Sequence, residues 1–163
     1  MPGQSRSLFG TDGVRGIAGT EITTDLAARV GGAFAELLCE RDANPTVLLA
    51  RDTRVSGSEL SAAVAEALCA GGVQVADCGV LPTGALCLLV RERGLAGGVV
   101  VSSSHNPPAS NGIKLVGPGG LKLPIDEQDR VAELVQTEEV PHPRPGGRWA
   151  RDKGAGEEYL RII

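Results

Sequence analysis

The residues in this chain best suited to chemistry stand close together. Ser102, Ser103 and Ser104 run directly into His105 and Asn106, and Lys114 follows a short way beyond. A hydroxyl beside an imidazole, with an ammonium nearby, can supply a nucleophile, a proton carrier and a cation. A second charged cluster, Arg51-Asp52-Thr53-Arg54, lies upstream. Near the start, Gly10, Gly13, Gly16 and Gly19 punctuate Leu8 to Thr20, with Arg15 among them. That glycine density reads as a closely turning loop rather than a regular element.

The elements that must hold these groups follow from apolar periodicity. Val99, Val100 and Val101 form a continuous apolar run after Gly97 and Gly98, the pattern of a strand covered on both faces. The serines emerge at its carboxyl end, where loops of open α/β sheets carry functional groups. Ile113 to Val116 reads as a second strand, and Leu121 to Leu123 as a short segment set off by Gly117-Pro118-Gly119-Gly120. Before them, Thr24 to Arg41 is expected to be a helix, with Leu26, Val30, Ala33, Phe34, Leu37 and Leu38 on one face. Asn44-Pro45 stops it, and Val47 to Ala50 is a buried strand from whose end Arg51 to Arg54 emerge. Ser56 with Glu59 has the capping-box pattern for a helix running to Gly71-Gly72. Val73 to Cys78 is the next strand, Pro82-Thr83 opens a third helix ending at Gly94, and Asp126 to Gln136 is a short helix. Alternating helices and strands imply right-handed crossovers and an α/β fold, a three-layer α/β/α sandwich on a mixed, mostly parallel sheet.

Three stretches together carry a resemblance. Ser103-Ser104-His105-Asn106-Pro107 followed by Asn111-Gly112-Ile113-Lys114 resembles the phosphoserine loop of the α-D-phosphohexomutases. Leu8-Phe9-Gly10-Thr11-Asp12-Gly13-Val14-Arg15-Gly16 resembles the opening of their phosphoglucosamine mutase branch, and Ala50-Arg51-Asp52-Thr53-Arg54-Val55-Ser56-Gly57 is similar to a third motif of the family. The likeness runs from about Leu8 to Val135 and matches the first, phosphoserine-bearing domain of that family.

The resemblance implies phosphoryl transfer between two hydroxyls of one hexose phosphate, of the glucosamine 6-phosphate to glucosamine 1-phosphate type, through a phosphoserine and a bisphosphate sugar. It makes Ser104 the phosphorylated serine and His105 a proton carrier or a hydrogen-bond donor to the phosphate. Lys114 becomes a cation and candidate base, and Arg15 a phosphate-binding cation. Asn106, Thr11, Arg51 and Asp52 fall to phosphate or loop support, with Arg54 bracing the loop by ion pairing. Ser102 and Ser103 read as strand-end serines. Mg2+ is implied through the phosphate on Ser104 together with aspartates of a domain absent here, and a bisphosphate sugar as activator. The sequence departs from the family at Pro82-Thr83-Gly84 and at Ala109-Ser110, and it holds no aspartate-rich metal loop. The chain is therefore expected to be inactive alone. Two other readings stay open: a free-standing, non-catalytic module that binds phosphosugars or complements a partner chain, and a hydrolase using Ser104.

Composition narrows the class. Over 163 residues, 42% are hydrophobic and 2% aromatic, so the core must be aliphatic. A net charge of −4, without a basic run, argues against nucleic acid as a partner. No apolar run reaches a membrane span and Met1 to Arg6 is polar, so no membrane partner and a cytoplasmic location are expected. Cys39, Cys69, Cys78 and Cys87 lack CxxC spacing and read as buried free thiols rather than zinc ligands. Residues 1–136 are read as the domain and 137–156, rich in Pro and Gly, as a linker. Residues 157–163 are read as the start of a helix leading to an absent second domain or docking onto this one. The expected partners are a hexose phosphate, the remaining domains of the same enzyme and, as an open option, a second copy of the chain.

Overall fold

Strand β2, Thr46–Arg51, and strand β4, Gly97–Val101, lie side by side at the centre of the sheet, as their unbroken apolar runs require. The computed structural model describes residues 8–10, 13–137 and 142–163. Around that central pair the remaining strands are β1 (Val14–Ile17), β3 (Gln74–Val80), β5 (Ser110–Val116) and β6 (Arg148–Arg151). Their order across the sheet is β1-β5-β4-β2-β3-β6. The β4–β2, β2–β3 and β3–β6 pairs are parallel, while β5 runs antiparallel to both β4 and β1. The sheet is thus mixed and mostly parallel.

Alternation along the central strands sorts the core into two layers. Val47, Leu49, Val99 and Val101 face helices α1 (Thr24–Cys39), α2 (Gly57–Ala70) and α4 (Ile125–Gln136), with Phe34 fully buried among them. Leu48, Ala50 and Val100 face α3 (Thr83–Glu92) and the first turn of α5 (Ala155–Ile162). Each fully buried Leu, Ile, Val or Phe contributes on the order of 1.5–3 kcal/mol. The three-layer α/β/α sandwich expected from the sequence is the fold observed.

Three local expectations are corrected. Val14–Ile17, inside the stretch read as a loop, is an edge strand, because β5 supplies backbone partners that no local pattern announces. Arg148–Arg151, inside the stretch read as a linker, is the opposite edge strand. Its four residues are all exposed, so no apolar alternation marks it. The Ser56 side chain does not cap α2; its hydroxyl instead accepts from Asn111 Nδ2 at 2.8 Å. Leu121 to Leu123 contributes a single bridge, Val116 to Lys122.

The C-terminal elements are tied to α3 by charge. Arg93 donates through NH1 to Asp152 Oδ2 at 2.6 Å and through Nε to Glu158 at 3.2 Å. Trp149 Nε1 donates to Asp77 Oδ2 at 3.3 Å. Leu160 and Ile163 remain exposed. The four cysteines are free and partly buried, and burial pushes the Cys78 thiol up to about 12. Among the described residues, no helix is long and apolar enough to cross a membrane.

Candidate active site

β4 keeps its ladder one residue past its end, Ser102 N–H donating to the Gly112 carbonyl at 3.0 Å. The chain then turns sharply. Ser102 and Ser103 are buried, whereas Ser104 and His105 are exposed. Ser104 has φ 53, alone among the described non-glycine residues in having positive φ. An L residue adopts that conformation only where its surroundings enforce it, commonly at functional sites.

Two cations converge on the exposed hydroxyl. Lys114 Nζ donates to Ser104 Oγ at 2.9 Å and Arg15 NH2 donates to it at 3.3 Å. Lys114 reaches it from β5. Arg15 reaches it from β1, although the two residues are far apart in sequence. The register explains how: Arg15 stands opposite Gly112. A Cβ at Gly112 would lie 3.0 Å from Arg15 Cγ, so the missing side chain leaves Arg15 room to cross β5 toward the loop. An ammonium and a guanidinium on one hydroxyl can stabilise an anionic group there, since each charge-assisted hydrogen bond to an anion contributes about 1.5–3 kcal/mol. Lys114 also lines, with Lys122, Thr83, Cys87 and Phe9, a pocket of about 170 Å³.

The charged cluster after β2 lies beneath the loop. Asp52 Oδ2 accepts from Ser102 Oγ at 2.7 Å and from Arg54 Nε at 3.0 Å, and Oδ1 accepts from Arg54 N–H at 3.1 Å. Burial by itself would raise the Asp52 carboxyl. The Ser102 hydroxyl and the Arg54 N–H and guanidinium outweigh it and hold the group below its ordinary value. Arg51 NH1 donates to the Asp52 carbonyl at 3.3 Å rather than to a loop serine. Asn106 Nδ2 donates to Ser103 Oγ at 3.0 Å, closing the turn from within.

Of the residues singled out in the sequence, the fold brings Ser104, Lys114 and Arg15 into contact, with Asp52 and Asn106 in direct support. His105 lies next to Ser104 in the chain, and its exposed side chain makes no hydrogen bond to a described residue. Thr11 lies outside the described residues. Sequence reasoning missed two supports. Ser102, read as a strand-end serine, accepts from Ser104 N–H at 3.0 Å and joins it to Asp52. Asn111, fully buried, accepts from Gly112 N–H through Oδ1 at 2.8 Å while donating to Ser56. The Asn111-Gly112 pair in the loop motif is the sequence signal that could have found it. As a metal site the residues do not suffice: among the described residues no three His, Cys, Asp or Glu side chains gather, and the groups on Ser104 are cations.

The site is thus a strand-end serine in a left-handed conformation beneath two cations, on a mixed sheet. Residues 6–142 match the family model described as phosphoglucomutase/phosphomannomutase, alpha/beta/alpha domain I, and the chain belongs to that family. It is 46% identical over 140 residues to the phosphoglucosamine mutase of Desulforamulus reducens, an alignment covering 86% of this chain and 32% of that protein. It is also 46% identical over 160 residues to the phosphoglucosamine mutase of Desulforudis audaxviator, covering 96% and 36%. The crystal structure of a phosphoglucomutase/phosphomannomutase family protein from Burkholderia thailandensis superposes with a TM-score of 0.81 at 29% identity, over 97% of this chain and 35% of that one. The chain spans about a third of the length of the curated relatives it matches.

Proposed function

We propose that this chain is the phosphoryl-carrying domain of a phosphoglucosamine mutase-type phosphohexomutase and that Ser104 carries the phosphoryl group. The contact of Lys114 Nζ and Arg15 NH2 with the exposed Ser104 Oγ carries this reading. In the forward step a hydroxyl oxygen of the hexose monophosphate attacks phosphorus and the P–Oγ bond of phospho-Ser104 breaks. Its electron pair stays on Oγ, and the sugar hydroxyl's proton passes to a base, for which His105 and Lys114 are the candidates. The bisphosphate sugar then returns its other phosphoryl group to Ser104 by the same displacement. Arg15 and Lys114 neutralise charge on the transferring group, which stabilises a phosphoryl-transfer transition state without covalent participation. A divalent cation, Mg2+ in this reading, would add further charge neutralisation. Among the described residues, only the Ser104 phosphate would be offered to it. The sugar-recognition residues and the metal carboxylates belong, in this reading, to the remaining two thirds of the architecture.

Peptide mapping by mass spectrometry tests this, on the chain purified without phosphatase treatment and again after incubation with glucose 1,6-bisphosphate and Mg2+. Phosphate on Ser104 under either condition supports the reading. No phosphate on Ser104 under both, or phosphate at another residue, refutes Ser104 as a carrier in this chain and favours a non-catalytic binding module.

A further inference from the structure

Arg54 stands in the charged cluster Arg51 to Arg54 that is expected to brace the loop. Its guanidinium does something more specific. Arginine has five N–H donors, and all five are engaged. Nε donates to Asp52 Oδ2 at 3.0 Å. NH1 donates to the carbonyls of Pro107 at 2.6 Å and Ser110 at 3.0 Å, and NH2 to those of Ser104 and Asn106, both at 2.9 Å. One side chain, itself only 10% exposed, therefore binds three backbone carbonyls of the loop between β4 and β5 and that of Ser110, the first residue of β5. That loop contains Pro107 and Pro108, which have no N–H and cannot contribute donors to a ladder.

The contacts close a ring around a single residue. The Ser104 N–H donates to Ser102 Oγ, and Ser102 Oγ donates to Asp52 Oδ2. The Ser104 carbonyl accepts from Arg54 NH2, and Arg54 Nε donates to the same Asp52 oxygen. Both peptide groups flanking the φ 53 residue thus lead back to one carboxylate oxygen. A guanidinium with every donor engaged by protein has none left for a phosphate, unlike Arg15, which points at the Ser104 hydroxyl itself.

We propose that Arg54 is the positioning residue of the loop: with Asp52 and Ser102 it imposes the left-handed conformation of Ser104 and so aims Oγ at Lys114 and Arg15. Lysine cannot replace it. An ammonium concentrates its donors on one nitrogen and cannot span four carbonyls while also pairing with Asp52. The catalytic part of this inference rests on Ser104 being the phosphoryl carrier; the positioning part does not.

Amide hydrogen exchange by NMR on the full 163-residue chain tests the positioning. In R54K, and in R54A if it folds, the amides of Ser104, Asn106 and Ser110 should exchange at least about ten-fold faster, while Val99–Val101 and Ile113–Val116 keep their rates. S102A, which cuts the other limb of the ring, should accelerate Ser104 most. Unchanged loop amides in R54K, or acceleration spread evenly through β4 and β5, would overturn the proposal, the second because it marks a general stability role. The phosphorylation rate of Ser104 with glucose 1,6-bisphosphate and Mg2+ gives the second readout. R54K should lower the saturated rate at least about ten-fold and leave the half-saturating concentration within about two-fold, as misplacement without lost binding does. A raised half-saturating concentration at unchanged rate would make Arg54 a binding residue instead. Exchange needs no phosphoryl donor, so a wild-type chain that accepts no phosphate speaks against the proposed function alone.

Discussion

Replacing Gly112 by alanine probes the one place where β1, β5 and the start of the loop meet. A Cβ built there lies 2.7 Å from the Val14 carbonyl oxygen, 2.8 Å from the Ser102 carbonyl oxygen and 3.0 Å from Arg15 Cγ. Two of those neighbours are backbone and cannot swing aside as the tip of a side chain could. Relief must come from moving β1 away from β5 or the Ser102 peptide away from Gly112. Forcing one methyl group into such packing costs about 1–3 kcal/mol. For a chain of this size that lowers Tm by roughly 2–12 °C. The same shift displaces both Arg15 and the root of the Ser104 turn, so Ser104 phosphorylation should slow by about ten-fold or more. Differential scanning calorimetry and timed peptide mapping read the two effects. The control is G84A: nothing lies within 4 Å of a Cβ at that exposed position in the first turn of α3. There alanine should add about 0.5–1 kcal/mol by helix propensity alone. A G112A chain that melts within about 1 °C of the parent and labels at the same rate would refute the reasoning, because the sheet would then be absorbing the methyl group without disturbing the site.

Two further outcomes follow from the charges. K114M removes an ammonium and a donor from Ser104 Oγ; it should cut Ser104 phosphorylation by about 10²-fold or more while urea unfolding changes by less than about 0.5 kcal/mol, and unimpaired labelling would exclude Lys114 from the chemistry. For the C-terminal elements the relevant groups are Asp152 and Glu158. Burial would raise Asp152, but the hydrogen bonds from Arg93 outweigh it, and the same guanidinium lowers Glu158. Carboxyls depressed in the folded state contribute stability that is present above their ordinary range and lost as pH falls through the folded values. Amide protection across α5 should therefore hold above about pH 5 and decline below about pH 4. R93A should weaken protection at neutral pH and flatten that dependence. An α5 whose protection ignores both pH and R93A would show that apolar contacts, not these ion pairs, hold it.

Much of this protein was determined by local sequence. Val47 to Ala50 and Val99 to Val101 are apolar without interruption, and only strands covered on both faces accommodate that. The helical periodicity of Leu26 to Leu38 fixed α1 to within two residues of its end. The serines, His105 and Lys114 share one strand–loop–strand unit, so their proximity is a short-range property of the chain. Other features came only from tertiary structure. The edge strands β1 and β6 gain their hydrogen bonds from partners remote in sequence and bury too little to leave an apolar alternation. Arg15 meets Ser104 because β1 docks antiparallel on β5 with glycine opposite it. Arg54 reaches three loop carbonyls and that of Ser110 at the start of β5 because β2 and β4 are parallel neighbours, so the loops at their carboxyl ends emerge together. Periodicity reports which face of an element is buried; which remote donors meet which carbonyls is set by the order and register of the strands.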